Sequence, residues 1–290
     1  MKLVTFVRAG GGAEEPGILR GERVLPLREA GFAFADMNEL IVRASREELD
    51  AMGKAQGEGL PLGSVRLLAP IPRPLQDLLC LGLNYSEHAA EAAGFSSEAF
   101  AIQTPAPIFF SKRVHYAPGS GEPIPAQAEL TEKLDFENEL AVVIGRDAKN
   151  VPEEEVADYI FGYTIVNDVT ARDLQTGYGQ WYFGKSLDGF APMGPCLVTA
   201  DEIPFPPRLH IYTDVNSERR QDSSTALLIH SIPEIVSTLS RGMTLKAGSI
   251  IATGTPKGVG MGGKTPRFLR PGDLVACSIE GIGTLVNPVV

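Results

Sequence analysis

The sequence is poor in cysteine and in basic residues, and it contains no long apolar run. Its three cysteines lie in apolar surroundings without CxxC spacing, a pattern that indicates buried thiols in a reducing compartment. No apolar stretch approaches the roughly 20 residues that a membrane-spanning helix needs. The N-terminal apolar segment is short and is interrupted by Arg8, unlike a signal peptide. We therefore expect a cytoplasmic protein with no membrane segment.

The charge balance is acidic. The 290 residues include 26 Lys and Arg against 36 Asp and Glu, a formal net charge of -10. Because binding to a nucleic-acid backbone depends on basic patches, this balance argues against a nucleic-acid partner. It suits an enzyme whose small anionic substrate is held by local cations or by a metal. With 43% hydrophobic residues, the chain can build one large domain, or one large and one small.

Abundant Gly (31) and Pro (22) between short apolar runs predict a β-rich, mixed α/β fold. Residues 1–70 are expected to form a small N-terminal α+β domain and residues 71–290 a second domain, joined by the Pro-rich stretch 67–77. In the first domain we predict strands at 2–7 and 23–27 and one helix over 36–52. In the second domain, the pattern predicts helices at 85–94, 151–160 and 232–243, and strands at 108–110, 139–145, 163–169, 196–199, 209–215, 248–254, 273–279 and 283–289.

The stretch KLDFENELAVVIGRD, residues 133–147, has the alternation of a single strand with one apolar face. Glu137 and Glu139 fall together on its other face. A carboxylate on a half-exposed strand face is more often simply solvated. Two neighbouring carboxylates, however, disfavour each other's ionisation unless a cation lies between them. Asp168, at the end of a strand-like run, is the candidate third ligand, and an all-oxygen set favours Mg²⁺ or Mn²⁺ over zinc.

Five segments together resemble the signature blocks of the fumarylacetoacetate hydrolase family, in that family's order, over roughly residues 77–290: DFENELAVVIG, NDVTARDLQ, QWYFGKSLDGFAPMGP, GMTLKAGSIIATGTPKGVG and PGDLVACSIEGIGTL. The resemblance implies a β-roll or mixed β-sandwich catalytic domain behind the small N-terminal domain. It also implies a homodimer, and metal binding by Glu137, Glu139 and Asp168.

His88 and Glu91 are three residues apart on a predicted helix and therefore share a face. Taken alone, such a pair is more often an ordinary helix histidine beside a carboxylate. The segment NYSEHAAE resembles the family's NY-x-x-H-x-x-E block, whose short helix acts as a lid over the substrate. The resemblance implies that Glu91 orients His88, which takes a proton from water.

Five further residues are assigned roles mainly through the resemblance. Lys185, which by itself would pass for a surface lysine, corresponds to a lysine that stabilises the substrate's enolate oxygens. Gln175 and Thr255 correspond to positions that contact substrate. Arg172 is expected to brace this wall of the site rather than to touch substrate. Lys112 is a weaker candidate for binding an incoming carboxylate.

The segment GVGMGGKT, residues 258–265, formally matches the phosphate-binding pattern G-x-x-x-x-G-K-T. That pattern requires a helix directly after it, whose N–H groups hold phosphate. Pro266 and Pro271 leave no room for such a helix. We therefore expect a loop near the active site and no nucleotide site.

The resemblance implies metal-assisted cleavage of a carbon–carbon bond next to a carbonyl in a 2-oxo or 1,3-dioxo acid, with an acylpyruvate-like substrate expected first. Water activated by His88 would attack, and Lys185 would stabilise the departing enolate. Decarboxylation of an oxaloacetate-type acid, or isomerisation as in 2-hydroxyhepta-2,4-diene-1,7-dioate conversion in aromatic catabolism, uses the same enolate and is the alternative. A non-catalytic metal- or metabolite-binding protein is the third reading, and the intact HxxE pair and Lys185 argue against it.

Overall fold

The computed structural model of the chain describes residues 1–92, 105–263 and 265–290. Seventeen strands are assigned in these residues: β1 (Lys2–Arg8), β2 (Glu15–Arg20), β3 (Arg23–Pro26), β4 (Leu60–Pro61), β5 (Val65–Leu67), β6 (Leu78–Gly82), β7 (Ile108–Lys112), β8 (Leu134–Asp135), β9 (Asn138–Ile144), β10 (Ile160–Asn167), β11 (Thr170–Ala171), β12 (Met193–Thr199), β13 (His210–Val215), β14 (Glu218–Ser224), β15 (Ile250–Ala252), β16 (Leu274–Ile279) and β17 (Gly283–Pro288). The α-helices of the same residues are α1 (Met37–Arg43), α2 (Arg46–Lys54), α3 (Ser86–Ala92), α4 (Arg172–Gly177), α5 (Tyr182–Lys185) and α6 (Ile232–Gly242). The predicted β-rich, mixed α/β class is confirmed.

The strands form one large sheet and two smaller ones within the described residues. The large sheet has the order β4-β3-β2-β1-β12-β10-β9-β15-β6-β7, with β5 also paired to β1, and the four-stranded sheet has the order β14-β13-β16-β17. β8 and β11 form a separate two-stranded ladder. β1 pairs antiparallel with β12, with Leu3 opposite Leu197. The large sheet therefore contains strands from both sides of the domain boundary predicted near residue 70. The division into two domains at that point stays a prediction.

β9 lies at the centre of the large sheet, between β10 and β15. All seven of its residues are buried. Leu140, Val142 and Ile144 pack into one apolar cluster on one face, whereas Ala141 and Val143 pack into another on the opposite face. A strand covered on both faces gives its polar side chains no solvent, so any carboxylate here must be satisfied internally.

The prediction of one continuous strand over residues 133–147 is wrong, because the segment forms two strands. The chain forms β8, leaves the ladder at Phe136 and Glu137, and resumes as β9. The interruption is held by hydrogen bonds that are not part of a regular ladder, from Glu137 N to Asn167 Oδ1 at 3.0 Å and from Asp168 N to Glu137 O at 2.8 Å. These bonds place Glu137 beside Asp168, immediately after β10 ends.

Asn138 ties the two larger sheets together. Its buried amide donates to Tyr212 O at 2.7 Å and to Ser278 O at 3.2 Å, in β13 and β16. Its backbone N–H donates to Gln221 Oε1 at 3.2 Å. Because a buried polar group without partners is costly, these bonds fix how the four-stranded sheet packs on β9.

Two helix predictions need correction. The predicted helix over 36–52 is two helices, because Ser45 leaves the helical conformation and caps α2 through a reciprocal capping box with Glu48. The predicted helix at 151–160 is a 3-10 helix, Glu153–Tyr159. Only Val156 is buried there, so tertiary packing gives an α-helix little support. The other 3-10 segments within the described residues are Leu62–Ser64, Ala200–Glu202 and Thr225–Leu227.

The other two predicted helices are present. α6 begins after the N-cap Ser231, which accepts from Glu234 N, with a proline in its first turn. α3 covers residues 86–92 of the helix predicted at 85–94, and residues 93 and 94 of that prediction lie outside the described residues. No helix in the described parts of the chain is long and apolar enough to cross a membrane.

Candidate active site

Three buried carboxylates converge at the interruption between β8 and β9. Oxygen atoms of Glu137, Glu139 and Asp168 lie within 4.8 Å of one another. The side chains are 5%, 1% and 0% exposed, respectively, so water does not screen their mutual repulsion. Glu137 and Glu139 approach because they are two residues apart on an extended chain, and Asp168 approaches because β10 is the antiparallel partner of β9.

Three cations surround this carboxylate triad. Lys185, at the end of α5, donates from Nζ to Glu137 Oε2 at 2.6 Å and to Asp168 Oδ2 at 2.7 Å. Lys112, at the end of β7, donates to Asp168 Oδ1 at 2.6 Å and to Val169 O at 2.9 Å. The Arg172 guanidinium lies 2.6 Å from Glu137 Oε1. Lys112, Arg172 and Lys185 are 0%, 2% and 1% exposed, so this is a buried charge network with well-defined geometry.

The carboxylate that lacks a cation is Glu139. Its Oε2 accepts from Gly254 N at 2.7 Å, and it forms no ion pair with any residue that the structure describes. Burial, together with the negative charges of Asp168 and Glu137, raises its pKa well above the usual value. For Glu137, burial also favours the neutral form, but the charges of Lys185 and Arg172 outweigh it and lower the pKa to about 2.

The donor set fits a hard divalent cation. All three acids offer oxygen ligands, as Mg²⁺ and Mn²⁺ prefer. The ammonium of Lys185 already bridges two of the carboxylates, so the position accommodates positive charge. Glu139 beside it has no ion-pair partner among the described residues, and a bound cation would favour its ionised form. The triad can therefore bind a divalent metal.

His88 and Glu91 form the predicted pair on α3. His88 Nδ1 lies 2.9 Å from Glu91 Oε2, and the imidazole is buried. Glu91 is held in turn by the backbone N–H of Gly258, which donates to Oε1 at 3.1 Å and to Oε2 at 3.3 Å. A carboxylate at Nδ1 fixes the imidazole orientation, which leaves Nε2 to exchange protons.

A cavity of about 20 Å³ lies between this histidine and the carboxylates. It has room for about one water molecule. Seven predicted site residues line it together with several apolar ones: His88, Glu137, Glu139, Arg172, Gln175, Lys185 and Thr255. Asp168, Glu91 and Lys112 are not among its lining residues, because Asp168 is directed towards the two lysines and Glu91 towards Gly258.

The positions of Lys112 and Arg172 refine the sequence hypotheses. Lys112 Nζ donates to Asp168 Oδ1, and Lys112 does not line the cavity. Arg172 lines the cavity and also braces it, with Nε donating to Asp135 Oδ2 at 2.8 Å and NH1 donating to Gln175 Oε1 at 3.1 Å.

Sequence reasoning missed two residues of the site. Gln221 is fully buried and donates to Thr255 Oγ1 at 2.8 Å, which orients that hydroxyl. Asp135 accepts from Arg172 and from three backbone N–H groups. Gln221 lies among polar residues in β14, and nothing in the sequence around it indicated a place in the site. The aspartate could have been suspected, because it is an acidic residue in an otherwise apolar context two positions before Glu137.

Comparison with known proteins agrees with this geometry. The model of the fumarylacetoacetate (FAA) hydrolase C-terminal family matches residues 77–290. The chain belongs to the fumarylacetoacetate hydrolase family. The family members are enzymes, which makes the three-carboxylate cluster, the His88–Glu91 pair and Lys185 the candidate active site of this one.

Three similar proteins cover most of the chain. The oxaloacetate tautomerase YisK of Bacillus subtilis is 49% identical over 228 residues, which are 79% of this chain and 74% of the relative. The fumarylacetoacetate hydrolase of Exiguobacterium antarcticum is 39% identical, with a TM-score of 0.85 over 100% of this chain and 99% of that one. The maleylpyruvate hydrolase of Sphingobium sp. SYK-6, solved with manganese(II) and pyruvate, is 29% identical with a TM-score of 0.75, over 100% and 99% of the two chains. These matches confirm the predicted fold class.

Proposed function

We propose that this protein is a metal-dependent enzyme that interconverts the keto and enol forms of a small 2-oxo dicarboxylic acid of the oxaloacetate class. The observation that carries the proposal is a buried imidazole, held by a carboxylate, that lines the same cavity as Glu137, Glu139 and Lys185. Such an arrangement supplies a proton carrier beside a site for enolate charge. The 49% identity to the oxaloacetate tautomerase of B. subtilis supports this substrate class.

Glu137, Glu139 and Asp168 would hold the metal. When bound, Mg²⁺ or Mn²⁺ acts as a Lewis acid that polarises a carbonyl and favours its enolate. The manganese complex of the Sphingobium neighbour makes Mn²⁺ as suitable a candidate as Mg²⁺. Both ions belong in the assays below.

The chain's own residues would move the proton. Nε2 of His88 takes a proton from C3 of the keto acid, while Glu91 stabilises the imidazolium that forms. The Lys185 ammonium lies near the developing oxyanion, and its pKa supports this role. Burial favours the neutral amine, but Asp168 and Glu137 outweigh it and raise the pKa. His88 then returns the proton to the enolate oxygen, so the reaction consumes neither water nor a second substrate.

Gln175 and Thr255 would contact the substrate's polar groups, since both line the cavity. Arg172 would position Glu137 and Gln175 rather than bind substrate. A keto acid is larger than the 20 Å³ cavity, so substrate binding requires the surrounding side chains to move. Movement of this kind in a lid helix such as α3 would also exclude water once the substrate is bound.

Hydrolysis of an acylpyruvate-like 2-oxo acid is the second candidate. The same His88–Glu91 pair could take its proton from water, and carbon–carbon cleavage would give an enolate at the same place. The similarity to maleylpyruvate hydrolase over the full chain supports this candidate. Decarboxylation of oxaloacetate and isomerisation of a dienoate keto acid would use the same enolate.

The test is a set of assays on one chelator-treated preparation, supplemented with Mg²⁺ or Mn²⁺. The enol of oxaloacetate absorbs in the ultraviolet, so its decay to the keto form gives the tautomerase rate directly. Pyruvate release separates hydrolysis of an acylpyruvate, or decarboxylation, from tautomerisation. Metal-dependent acceleration of enol decay with no pyruvate release supports the proposal, whereas pyruvate release from an acylpyruvate alone supports the second candidate.

His88→Ala separates an enzyme from a binding protein. Loss of turnover with retained metal-induced stabilisation supports the proton-carrier role. His115→Ala is the matched control, because His115 is not among the residues that line the cavity and should leave the rate unchanged. A preparation that binds metal and keto acid but turns over none of the substrates contradicts the proposal.

We also propose that the protein acts as a homodimer. Three large aromatic side chains of the α4–α5 region, Tyr178, Tyr182 and Phe183, are 65%, 43% and 40% exposed, an apolar surface suited to a second copy. Light scattering coupled to size-exclusion chromatography measures the mass directly. A mass near the 31.1 kDa of one chain contradicts a dimer.

A further inference from the structure

Asp135 is a buried carboxylate whose oxygens are fully used, although it is neither a metal ligand nor a proton carrier in the scheme above. Its side chain is 0% exposed. Oδ1 accepts from Phe136 N at 2.8 Å and from Gly260 N at 2.5 Å. Oδ2 accepts from Met261 N at 2.8 Å and from Arg172 Nε at 2.8 Å. Four donors converge on this one carboxylate, three of them backbone N–H groups.

Residues 258–262, which we call the glycine loop, bind two carboxylates of the protein itself. Gly258 N donates to Glu91, and Gly260 N and Met261 N donate to Asp135. The loop is the segment that formally matches a phosphate-binding motif, whose Lys264 lies outside the described residues. Consecutive backbone N–H groups form an anion-binding concavity, and here the anions are side chains.

Two glycines of this loop, Gly260 and Gly262, are required by the close approach of those carboxylates. A Cβ on Gly262 would lie 2.0 Å from Glu91 Oε1, and one on Gly260 would lie 2.5 Å from Asp135 Oδ1. Both distances are far below van der Waals contact. Any side chain at these positions would push the carboxylate away from the loop.

The contacts connect the triad to the proton carrier. From the triad, Glu137 pairs with Arg172, and Arg172 donates to Asp135. Asp135 fixes the glycine loop, and Gly258 of that loop holds Glu91, the partner of His88. Every link is at least partly buried, so each is worth more than a comparable contact in water.

We propose that Asp135 is a positioning residue that holds the His88–Glu91 pair at a fixed place relative to the carboxylate triad, through the glycine loop on one side and Arg172 on the other. This deepens the proposed function and rests on it for the kinetic part of the test. The geometric part, the orientation of His88, is independent of which reaction the enzyme catalyses.

Asp135→Asn tests this in the full-length protein. The variant keeps the side-chain shape but replaces one acceptor oxygen with an NH₂ donor, which must face an existing donor. We expect kcat to fall by about 10- to 100-fold, as for other groups that orient ligands at metal sites, with a smaller change in KM. The readout that a purely structural residue would not move is the imidazole of His88.

That imidazole can be observed by long-range ¹H–¹⁵N correlation spectra of metal-free protein. The chain has four histidines, and His88→Ala identifies the signals of His88. A carboxylate on Nδ1 fixes one tautomer. We expect the nitrogen shifts of His88 in Asp135→Asn to move towards those of a freely exchanging imidazole, while those of the other three histidines stay in place.

The matched control is Glu122→Gln. Glu122 is a partly buried carboxylate that, like Asp135, accepts a glycine N–H, here from Gly119 at 2.7 Å, but it contacts none of the candidate site residues. It should lower the melting temperature without moving the His88 signals. If Asp135→Asn behaves in the same way, with His88 unchanged, Asp135 is a folding residue and the proposal is wrong.

Gly260→Ala is the second variant, should Asp135→Asn fail to fold. It displaces the loop from Asp135 while leaving the carboxylate and Arg172 intact, and its control is Gly53→Ala, where a Cβ meets nothing within 4 Å. Moved His88 signals with Gly260→Ala alone support the proposal, and unmoved signals overturn it. A wild-type enzyme without tautomerase activity would contradict the proposed function, but these spectra would still decide the role of Asp135.

Discussion

Replacement of Lys112 by methionine separates two roles for this lysine. The sequence suggested that it receives an incoming carboxylate, whereas the structure places its Nζ 2.6 Å from Asp168 Oδ1, with both side chains 0% exposed. Methionine fills nearly the same volume without the charge. The substitution therefore removes one partner of a buried pair and creates no large cavity.

The expected loss of stability follows from the contacts that remain. Breaking a buried pair by removing one partner costs about 3–5 kcal/mol, because a charge is left buried without compensation. Asp168 keeps Lys185 at 2.7 Å from its other oxygen, so we expect about 3 kcal/mol, the lower end of that range. The carbonyl oxygen of Val169 also loses its hydrogen-bond donor, Lys112 Nζ at 2.9 Å, which adds to the loss of stability.

Urea unfolding in chelator, at one fixed protein concentration, measures this difference. Lys149→Met is the control, because Lys149 is exposed and its substitution should stay within about 0.5 kcal/mol of wild type. We also expect KM for the keto acid to change less than kcat, since the lysine supports Asp168 rather than the substrate. A near-wild-type unfolding midpoint combined with a large rise in KM would refute this reasoning and restore the substrate-binding role.

Three further outcomes follow from the site. Chelation should abolish turnover, and metal at 100 times its Kd should raise the free energy of unfolding by about 2.7 kcal/mol. The same metal-induced gain in Glu139→Gln would contradict metal binding by the triad. Arg172→Lys should lower kcat by about 10- to 100-fold, because one ammonium cannot replace a fork that contacts three side chains; wild-type kcat would show that any cation suffices. The buried thiols should stay unreactive towards a disulfide reagent at pH 8 until the protein unfolds. Burial raises the pKa of Cys196 to about 11, that of Cys277 to about 12 and that of Cys80 well above its usual value. Fast labelling of the native protein would contradict that burial.

Several features were readable from the sequence because they depend on neighbours along the chain. The two-residue spacing of Glu137 and Glu139 puts them on one face of any extended segment. The i, i+3 spacing of His88 and Glu91 brings them together on any helix, and in the structure His88 Nδ1 lies 2.9 Å from Glu91 Oε2. Ser231 and the proline after it predict the start of α6 for the same local reason.

The contacts that hold these residues in place could not be predicted from local spacing, because they join residues that are far apart in the sequence. Lys112 and Asp168 are 56 positions apart, Asp135 and Gly260 are 125 apart, and Glu91 and Gly258 are 167 apart. Such pairs are brought together by the tertiary structure, in which β9 lies between β10 and β15 and the four-stranded sheet packs on Asn138. No local period carries that information, so sequence spacing could not distinguish a substrate-facing lysine from one that faces Asp168.

The amino-acid sequence thus determined which side chains are available for the chemistry, since residue type and local spacing decide what can bind a hard cation or carry a proton. The tertiary structure alone decided how their charges balance. Burial removes the solvent that would otherwise screen each group, so pKa values and orientations depend on partners that the fold brings from distant strands. For the same reason, a glycine-rich segment that resembles a phosphate-binding loop uses its backbone N–H groups to bind two of the protein's own carboxylates.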